Sequence, residues 1–307
     1  MQQPSLVTVD KPSDRQASQN CGDLEEGRLL FFPSAPFQLP EEQRQFLVQL
    51  RSSKAHFHKN IAYRPLQDRV TGAGNLAAGE RNRLHQILRG YSQQAVGFLS
   101  EFLEPYAASW RLDYASFRPF QEEGRELSTR KRNDLLHLDN FPTRPTNGDM
   151  ILRFFTNINP TQPRRWIATG PFEAVVQHFT GKGGMRWPRV LSGWGSLKYS
   201  ALQTGRRFGL PLVARPPYDA FMLRLHHRMK EDDQFQKDCP KLHLEFPPGS
   251  SWMVFTDRVA HAALSGQYAL EQTLLISRNS LLSPQKAPLR ILERLSGTSP
   301  LNDLFWR

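Results

Sequence analysis

An α+β fold, with a double-stranded β-helix (jelly roll) core and flanking helices, is predicted by three features of this 307-residue sequence. Short runs rich in branched and aromatic residues succeed one another between turn formers at 150–158, 251–257, 258–266 and 268–277, as the strands of a half-buried sheet do. Outside them, apolar residues recur at helical spacing, most clearly over 79–102. Finally, His137-Leu138-Asp139 is answered far downstream by His261. A histidine and an acid two residues apart on one strand point to the same side. A histidine from an adjacent strand then completes a metal site.

Taken in order, residues 1–26 are polar and read as a flexible N-terminal tail, and the jelly-roll domain spans 27–282. Residues 26–32 form an early strand ended by Pro33. Pro40 opens a helix with Glu41 and Glu42 in its first turn and Phe46, Leu47 and Leu50 along one face. In the helix over 79–102, Leu84, Ile87, Leu88, Tyr91, Ala95 and Leu99 make the apolar stripe, and His85 lies one position off it. Residues 112–118 alternate as a strand leading toward the His-x-Asp motif. The motif closes the short apolar stretch 133–136, and turn formers fill 140–149. The strand over 150–158 is apolar except for Arg153.

An insertion over about 166–241 separates the two halves of the motif and is placed to form a lid or a substrate-binding wall. It carries a short helix at 172–179, a loop of glycines and aromatics at 181–188, Gly193-Trp194-Gly195, and a helix near 218–235 with His226 and His227. The glycines match no phosphate-binding loop, since no Gly-Lys-Ser or Gly-Lys-Thr ends the run. Residues 246–250 make a turn before the last three strands, and the C-terminal extension 283–307 holds a short helix around 288–295.

Composition narrows the function. Forty Lys plus Arg against 29 Asp plus Glu leave a net charge of +11, which favours an anionic partner: nucleic acid, an acidic membrane surface or an acidic substrate. Arginine clusters at Arg130-Lys131-Arg132, Arg164-Arg165 and Arg206-Arg207, and its fork suits phosphate and carboxylate. A hydrophobic fraction of 39% with 20 Phe excludes global disorder. No apolar run nears the roughly 20 residues that span a bilayer, and the first residues hold no apolar signal segment. Cys21 and Cys239 build no disulfide framework, which fits a reducing compartment.

Two imidazoles and one carboxylate on one face of a metal, with the opposite face open, suit non-haem iron(II). His137, Asp139 and His261 are therefore the candidate ligands. The open positions can take an oxo acid, of which 2-oxoglutarate is the commonest, and dioxygen. The far carboxylate of 2-oxoglutarate needs a cation, expected about ten residues after the distal histidine. That stretch contains Tyr268 and Gln272 and no cation. Arg153 is the better-placed substitute, because an unpaired guanidinium in an apolar strand would be costly. Arg118 and Arg165 are the alternatives. His226 and His227 rival His261 as third ligand, but their helical placement points elsewhere.

The motif His137-Leu138-Asp139-Asn140-Phe141-Pro142-Thr143-Arg144-Pro145, together with 152–160 and 261–273, resembles the Kdo hydroxylase family over about residues 28–282. The resemblance implies an iron(II)/2-oxoglutarate-dependent dioxygenase. It would hydroxylate carbon 3 of Kdo, the eight-carbon acidic sugar of the lipopolysaccharide inner core, to give Ko. It further implies action on Kdo-bearing lipid A at the cytoplasmic face of the inner membrane, with peripheral contact to anionic lipid and no nucleic-acid partner. Exposed aromatics near the insertion, such as Trp187 and Trp194, would suit that surface. The competing readings are a 2-oxoglutarate oxygenase with another acidic substrate, and a non-catalytic basic module for anionic lipid or nucleic acid.

Overall fold

The computed structural model of the protein describes residues 4–50, 60–74, 76–181, 184–187, 194–208 and 213–298. The chain begins with β1 (Leu6–Thr8), α1 (Ala17–Glu25), β2 (Leu29–Phe32) and α2 (Glu41–Gln49). A hairpin of β3 (Ile61–Arg64) and β4 (Arg69–Thr71) precedes the long α3 (Ala78–Phe102), the short α4 (Glu104–Ala107) and β5 (Arg111–Arg118). After a loop come β6 (Met150–Asn157), β7 (Arg164–Pro171), α5 (Phe172–Thr180), α6 (Trp194–Arg207), α7 (Pro217–Glu231) and α8 (Asp233–Asp238). The chain returns through β8 (Leu242–Phe246), β9 (Ser251–Phe255), β10 (Val259–Ser265) and β11 (Ala269–Ile276), and ends in α9 (Pro288–Ser296).

Eight strands form one sheet in the order β1-β2-β9-β6-β11-β5-β3-β4, and three form a second in the order β10-β7-β8. Alternation along each strand sorts its side chains between two cores. On one face of the large sheet, Leu152, Phe154, Met253, Phe255, Leu274 and Ile276 pack with Leu99 and Phe102 of α3. On the other, Phe155, Trp252 and Val254 meet Trp166 and Ala168 of β7, Phe246 of β8 and Ala263 of β10. The two sheets are thus layered face to face. Trp252 stacks flat on Phe246 at 3.9 Å between centroids, and Trp166 meets it edge-on at 5.5 Å. Helix α3 is one-faced as its spacing requires, and Glu80 accepts a hydrogen bond from the Ala77 N–H at its start (3.0 Å). Truncating a fully buried residue of its stripe, such as Leu99, would cost about 2–5 kcal/mol.

Four expectations need correction. Residues 4–26 are not a flexible tail: β1 pairs in parallel with β2, and Cys21 and Leu24 of α1 are fully buried. Polar contacts hold this segment. Asn20 donates to the Phe102 carbonyl, and buried Glu25 accepts from the Tyr106 hydroxyl (2.7 Å) and from the N–H groups of Leu282 and Ser283. Residues 1–3 lie outside the described residues. Secondly, the C-terminal stretch is integral, because Leu289, Ile291 and Leu292 of α9 share a core with Phe172 and Val176 of α5; residues 299–307 lie outside the description. Thirdly, the presumed insertion begins with β7, a strand at the centre of the small sheet. Fourthly, the helix expected near 218–235 is two helices, broken at Asp232, whose side chain caps α8 by accepting from the Phe235 N–H (2.9 Å). Helix α6 had no counterpart in the sequence reading. Lys182, Gly183, Pro188 and Gly193, and the side chains of Arg206 and Arg207, lie outside the described residues.

Candidate active site

The small sheet and the loop before β6 bring the predicted ligands together. His137, Asp139 and His261 each offer a donor atom, and these lie within 4.8 Å of one another. His261 sits on the inner face of β10. His137 and Asp139 are not on a strand, contrary to the sequence expectation. They lie on a loop joined to β10 by an isolated bridge, in which the N–H of each of His137 and His261 donates to the other's carbonyl at 3.0 Å. The Asp139 N–H donates to the Thr256 carbonyl (2.8 Å). The loop is nevertheless extended, so Leu138 turns away into the core of α5 and α7 while its two neighbours face the site.

Both ligand histidines have an assigned tautomer. Nδ1–H of His137 donates to the Leu135 carbonyl (2.7 Å) and that of His261 to the Val259 carbonyl (3.0 Å). Nε2 of each ring is left as the lone-pair nitrogen a metal needs. Trp166 lies flat against the His261 ring at 5.1 Å and fixes its plane. Burial holds the His137 and His261 rings below the usual imidazole range, with the Lys230 ammonium adding to the effect on His137. Burial opposes ionisation of Asp139, but the Arg153 guanidinium outweighs it and holds the carboxyl well below the ordinary carboxylate range. Two neutral imidazoles and one carboxylate are the protonation states that bind a divalent cation.

Helices α7 and α8 brace the ligand loop from behind. The Gln236 amide donates to the Leu136 carbonyl and accepts from its N–H, both at 2.9 Å. Asp219 accepts from the N–H groups of Thr146 (2.6 Å) and Asn147 (3.1 Å). The expectation that His226 points elsewhere fails: its Nδ1–H donates to the Leu138 carbonyl (2.6 Å), and its ring stands edge-on to His137 at 5.0 Å. His227 is half-exposed beyond it. Within the segment 166–241, α7 and α8 thus brace the ligand loop. Among the described residues, none of it lines the large pocket walled by Arg153 and Glu271, and the three triad residues lie behind that wall, with Arg153 bridging to Asp139.

That pocket has a volume of about 780 Å³ and is lined by Arg125, Lys131, Arg144, Arg153 and Glu271, among others. Behind it runs a buried ionic chain. Arg153 reaches Asp139 (2.9 Å) and Glu271 (2.5 Å); Arg118 grips Glu271 with two nitrogens (2.9 and 2.5 Å). Glu122 lies 3.9 Å from Arg118 and accepts from Arg164 at 3.0 Å. The register explains this meeting: Arg153 stands opposite Thr273, and Arg118 opposite Ala269, so their inward side chains flank Glu271. Arg165 is not in the chain. It projects from the far face of β7, exposed, and pairs with Glu245 at 3.0 Å. Its neighbour Arg164, fully buried on the inner face, takes the position instead. Sequence reading missed Arg164, Glu271 and Trp166; alternation along 164–168 could have chosen between the adjacent arginines.

Among the described residues, Trp166 Nε1, on the ring that packs against His261, is a buried polar atom with no hydrogen-bond acceptor, and so is Arg164 Nε two residues earlier on β7. Both belong to inward side chains of β7, and donors left without acceptors are costly. Elsewhere, Trp187 is partly buried and packs parallel to Phe221 (6.5 Å), whereas Trp194 of α6 is 88% exposed.

The family model for 3-deoxy-D-manno-oct-2-ulosonic acid (Kdo) hydroxylase matches residues 8–299. Among solved structures, the chain is similar to the Kdo hydroxylase KdoO, a non-haem Fe(II) α-ketoglutarate-dependent dioxygenase. The KdoO complex with α-ketoglutarate and Fe(III) is 33% identical, with a TM-score of 0.83 over 99% of this chain and 100% of that one. The cobalt(II) complex is 34% identical, with the same TM-score over 98% and 99%. A comparison with curated proteins gave no match. A family match over nearly the whole length and a triad assembled from the two halves of the motif agree: the chain belongs to the Kdo hydroxylase family.

Proposed function

We propose that the protein is an Fe(II)/2-oxoglutarate-dependent dioxygenase that hydroxylates carbon 3 of Kdo on Kdo-bearing lipid A, giving Ko. The observation that carries this reading is the three-donor site of two neutral imidazoles and one carboxylate, with the arginines of the Arg153–Glu271–Arg118 chain beside it. Iron(II) would be held by Nε2 of His137, Nε2 of His261 and a carboxylate oxygen of Asp139. With 2-oxoglutarate and dioxygen, that centre supplies an oxidation in which the oxo acid loses carbon dioxide, becomes succinate and leaves one oxygen atom for a substrate C–H bond.

The chain's own residues do the rest. The Leu135 and Val259 carbonyls keep both Nε2 atoms unprotonated. Arg153 pairs the far carboxylate of 2-oxoglutarate, with Arg118 next to it and Arg164 in the place expected of Arg165. Glu271 fixes the two inner guanidinium groups so that their geometry is set before the co-substrate arrives. The two layered sheets frame the site as a double-stranded β-helix would, and their aromatic core keeps bulk water from the rear of the metal.

Membrane contact has a candidate element. Trp194 and Leu197, three residues apart on one side of α6, and Phe208 just past its end are all strongly exposed. With Lys198 exposed beside them and a net charge of +11, this stripe suits an anionic lipid surface at the cytoplasmic face of the inner membrane. No described helix is long and apolar enough to cross a membrane.

Incubating the protein with Kdo-bearing lipid A precursor, iron(II), 2-oxoglutarate and oxygen tests the function. Mass spectrometry should show one added oxygen on the Kdo unit, lost in His137→Ala. Tight iron and 2-oxoglutarate binding without that product would instead indicate another acidic substrate, and no metal binding would favour a non-catalytic binding module.

A further inference from the structure

Cations stand at two depths around the pocket. Arg153 lines the pocket and forms an inner set with Arg118 and Arg164 behind it, tied into the buried chain that starts at Asp139. Arg144 belongs to the outer wall. Its guanidinium lies 3.9 Å from the centroid of Tyr114 and 4.5 Å from that of Phe141, and Asp113 accepts a hydrogen bond from Nη1. Phe141 also faces the Arg153 guanidinium at 5.7 Å. One phenyl ring therefore separates the inner arginine, which touches a metal ligand, from the outer one.

Two rings and one carboxylate hold a fork that is otherwise flexible, and an arginine so fixed loses little entropy when it binds. Asp113 occupies one nitrogen and leaves the remainder of the fork. The side chain is one-third exposed and lines the pocket. Four cationic against three acidic side chains line that pocket, so it favours an anion. Planar, bidentate recognition of a carboxylate is what a fixed guanidinium does best.

We propose that Arg144, held between Tyr114 and Phe141, binds the carboxylate of the sugar acid and so places the substrate against the metal, while the inner arginines serve the co-substrate. This rests on the hydroxylase reading and adds a division of labour among its arginines. The acid would enter as a carboxylate, a group an ester of the same sugar lacks.

The test is a binding cycle in the absence of oxygen. Protein loaded with iron(II) and 2-oxoglutarate is titrated with a Kdo glycoside and with the methyl ester of that glycoside. The unmodified protein should bind the acid roughly 10- to 100-fold more tightly than the ester, the range of one charge-assisted contact. Arg144→Gln should bind acid and ester alike, and Arg144→Lys should keep part of the preference. Both variants should bind 2-oxoglutarate within about twofold of the unmodified protein, a result that loss of fold would not give. No acid preference in the unmodified protein overturns the proposal, as does a preference that survives in Arg144→Gln. Loss of 2-oxoglutarate affinity in Arg144→Gln would move Arg144 to the co-substrate site and overturn it equally. Acid preference without hydroxylation would sink the hydroxylase reading and leave Arg144 standing.

Discussion

Replacing Arg153 by Gln should separate three properties that the structure ties to one side chain. The guanidinium lies 2.9 Å from Asp139 and 2.5 Å from Glu271, with its side chain 14% exposed. At an effective dielectric of about 20, an ion pair at 2.9 Å is worth ~6 kcal/mol before desolvation is counted. Removing one partner of a buried pair costs a net 3–5 kcal/mol or so, because the carboxylates left behind are uncompensated. For a chain of this length, about 1.5 °C is lost per kcal/mol, so the metal-free protein should melt roughly 5–8 °C lower. Affinity for 2-oxoglutarate should fall at least ~30-fold, the lower end for a truncated buried charge pair. Metal affinity should not fall, since the substitution removes a like charge from beside the cation. Calorimetric titration with cobalt(II), then with 2-oxoglutarate, separates the two affinities. An unchanged melting temperature together with unchanged 2-oxoglutarate affinity would refute the reasoning, because the ionic chain would then be doing neither job.

Three further outcomes follow from the geometry. Leu24→Ala should cost about 2–5 kcal/mol in a denaturant titration, since Leu24 is fully buried in α1; a negligible effect would restore the N-terminal segment to the status of a tail. Cobalt(II) affinity should be level at and above pH 6.5 and fall only at lower pH, because burial holds the folded-state pKa of His137 and His261 below 6.5 and protons compete only as the pH drops through those lowered values. A decline that begins above 6.5 would contradict those neutral rings. Trp194→Ser combined with Leu197→Ser should reduce cosedimentation with vesicles containing anionic phospholipid several-fold while leaving the melting temperature in place, since both side chains are exposed. Undiminished cosedimentation would remove α6 from the membrane contact.

Much of the site was legible in the sequence because its chemistry is written in residue types at fixed spacings. His137, Asp139 and His261 needed only a histidine and an acid two apart and a distant histidine in strand context. The strands β6, β9, β10 and β11 and the helix α3 lay close to where periodicity put them. What remained hidden was hidden for physical reasons. His137 and Asp139 sit in a loop whose extended form comes from β10 and from the helices behind it, not from a ladder of its own, so local pattern suggested a strand. Segment 4–26 is buried through Asn20 and Glu25, whose partners Phe102, Tyr106, Leu282 and Ser283 are remote in sequence. A polar stretch with distant partners looks like a tail until those partners are seen. The adjacent arginines of β7 differ only in the face they occupy, and the strand was not recognised, so Arg165 was chosen where Arg164 is buried. Glu271 stands ten residues after His261, where a cation was expected. Its negative charge makes sense only once Arg153 and Arg118 are seen converging on it from neighbouring strands.

The most direct measurement runs the reaction under isotopically heavy dioxygen with Kdo-bearing lipid A precursor, iron(II) and 2-oxoglutarate. The triad and its arginine-lined pocket require one heavy oxygen on the Kdo unit and one in the succinate formed, both absent in His261→Ala. Product oxygen drawn from water, or the same product from His261→Ala, would contradict the metal centre and the oxygenase reading built on it.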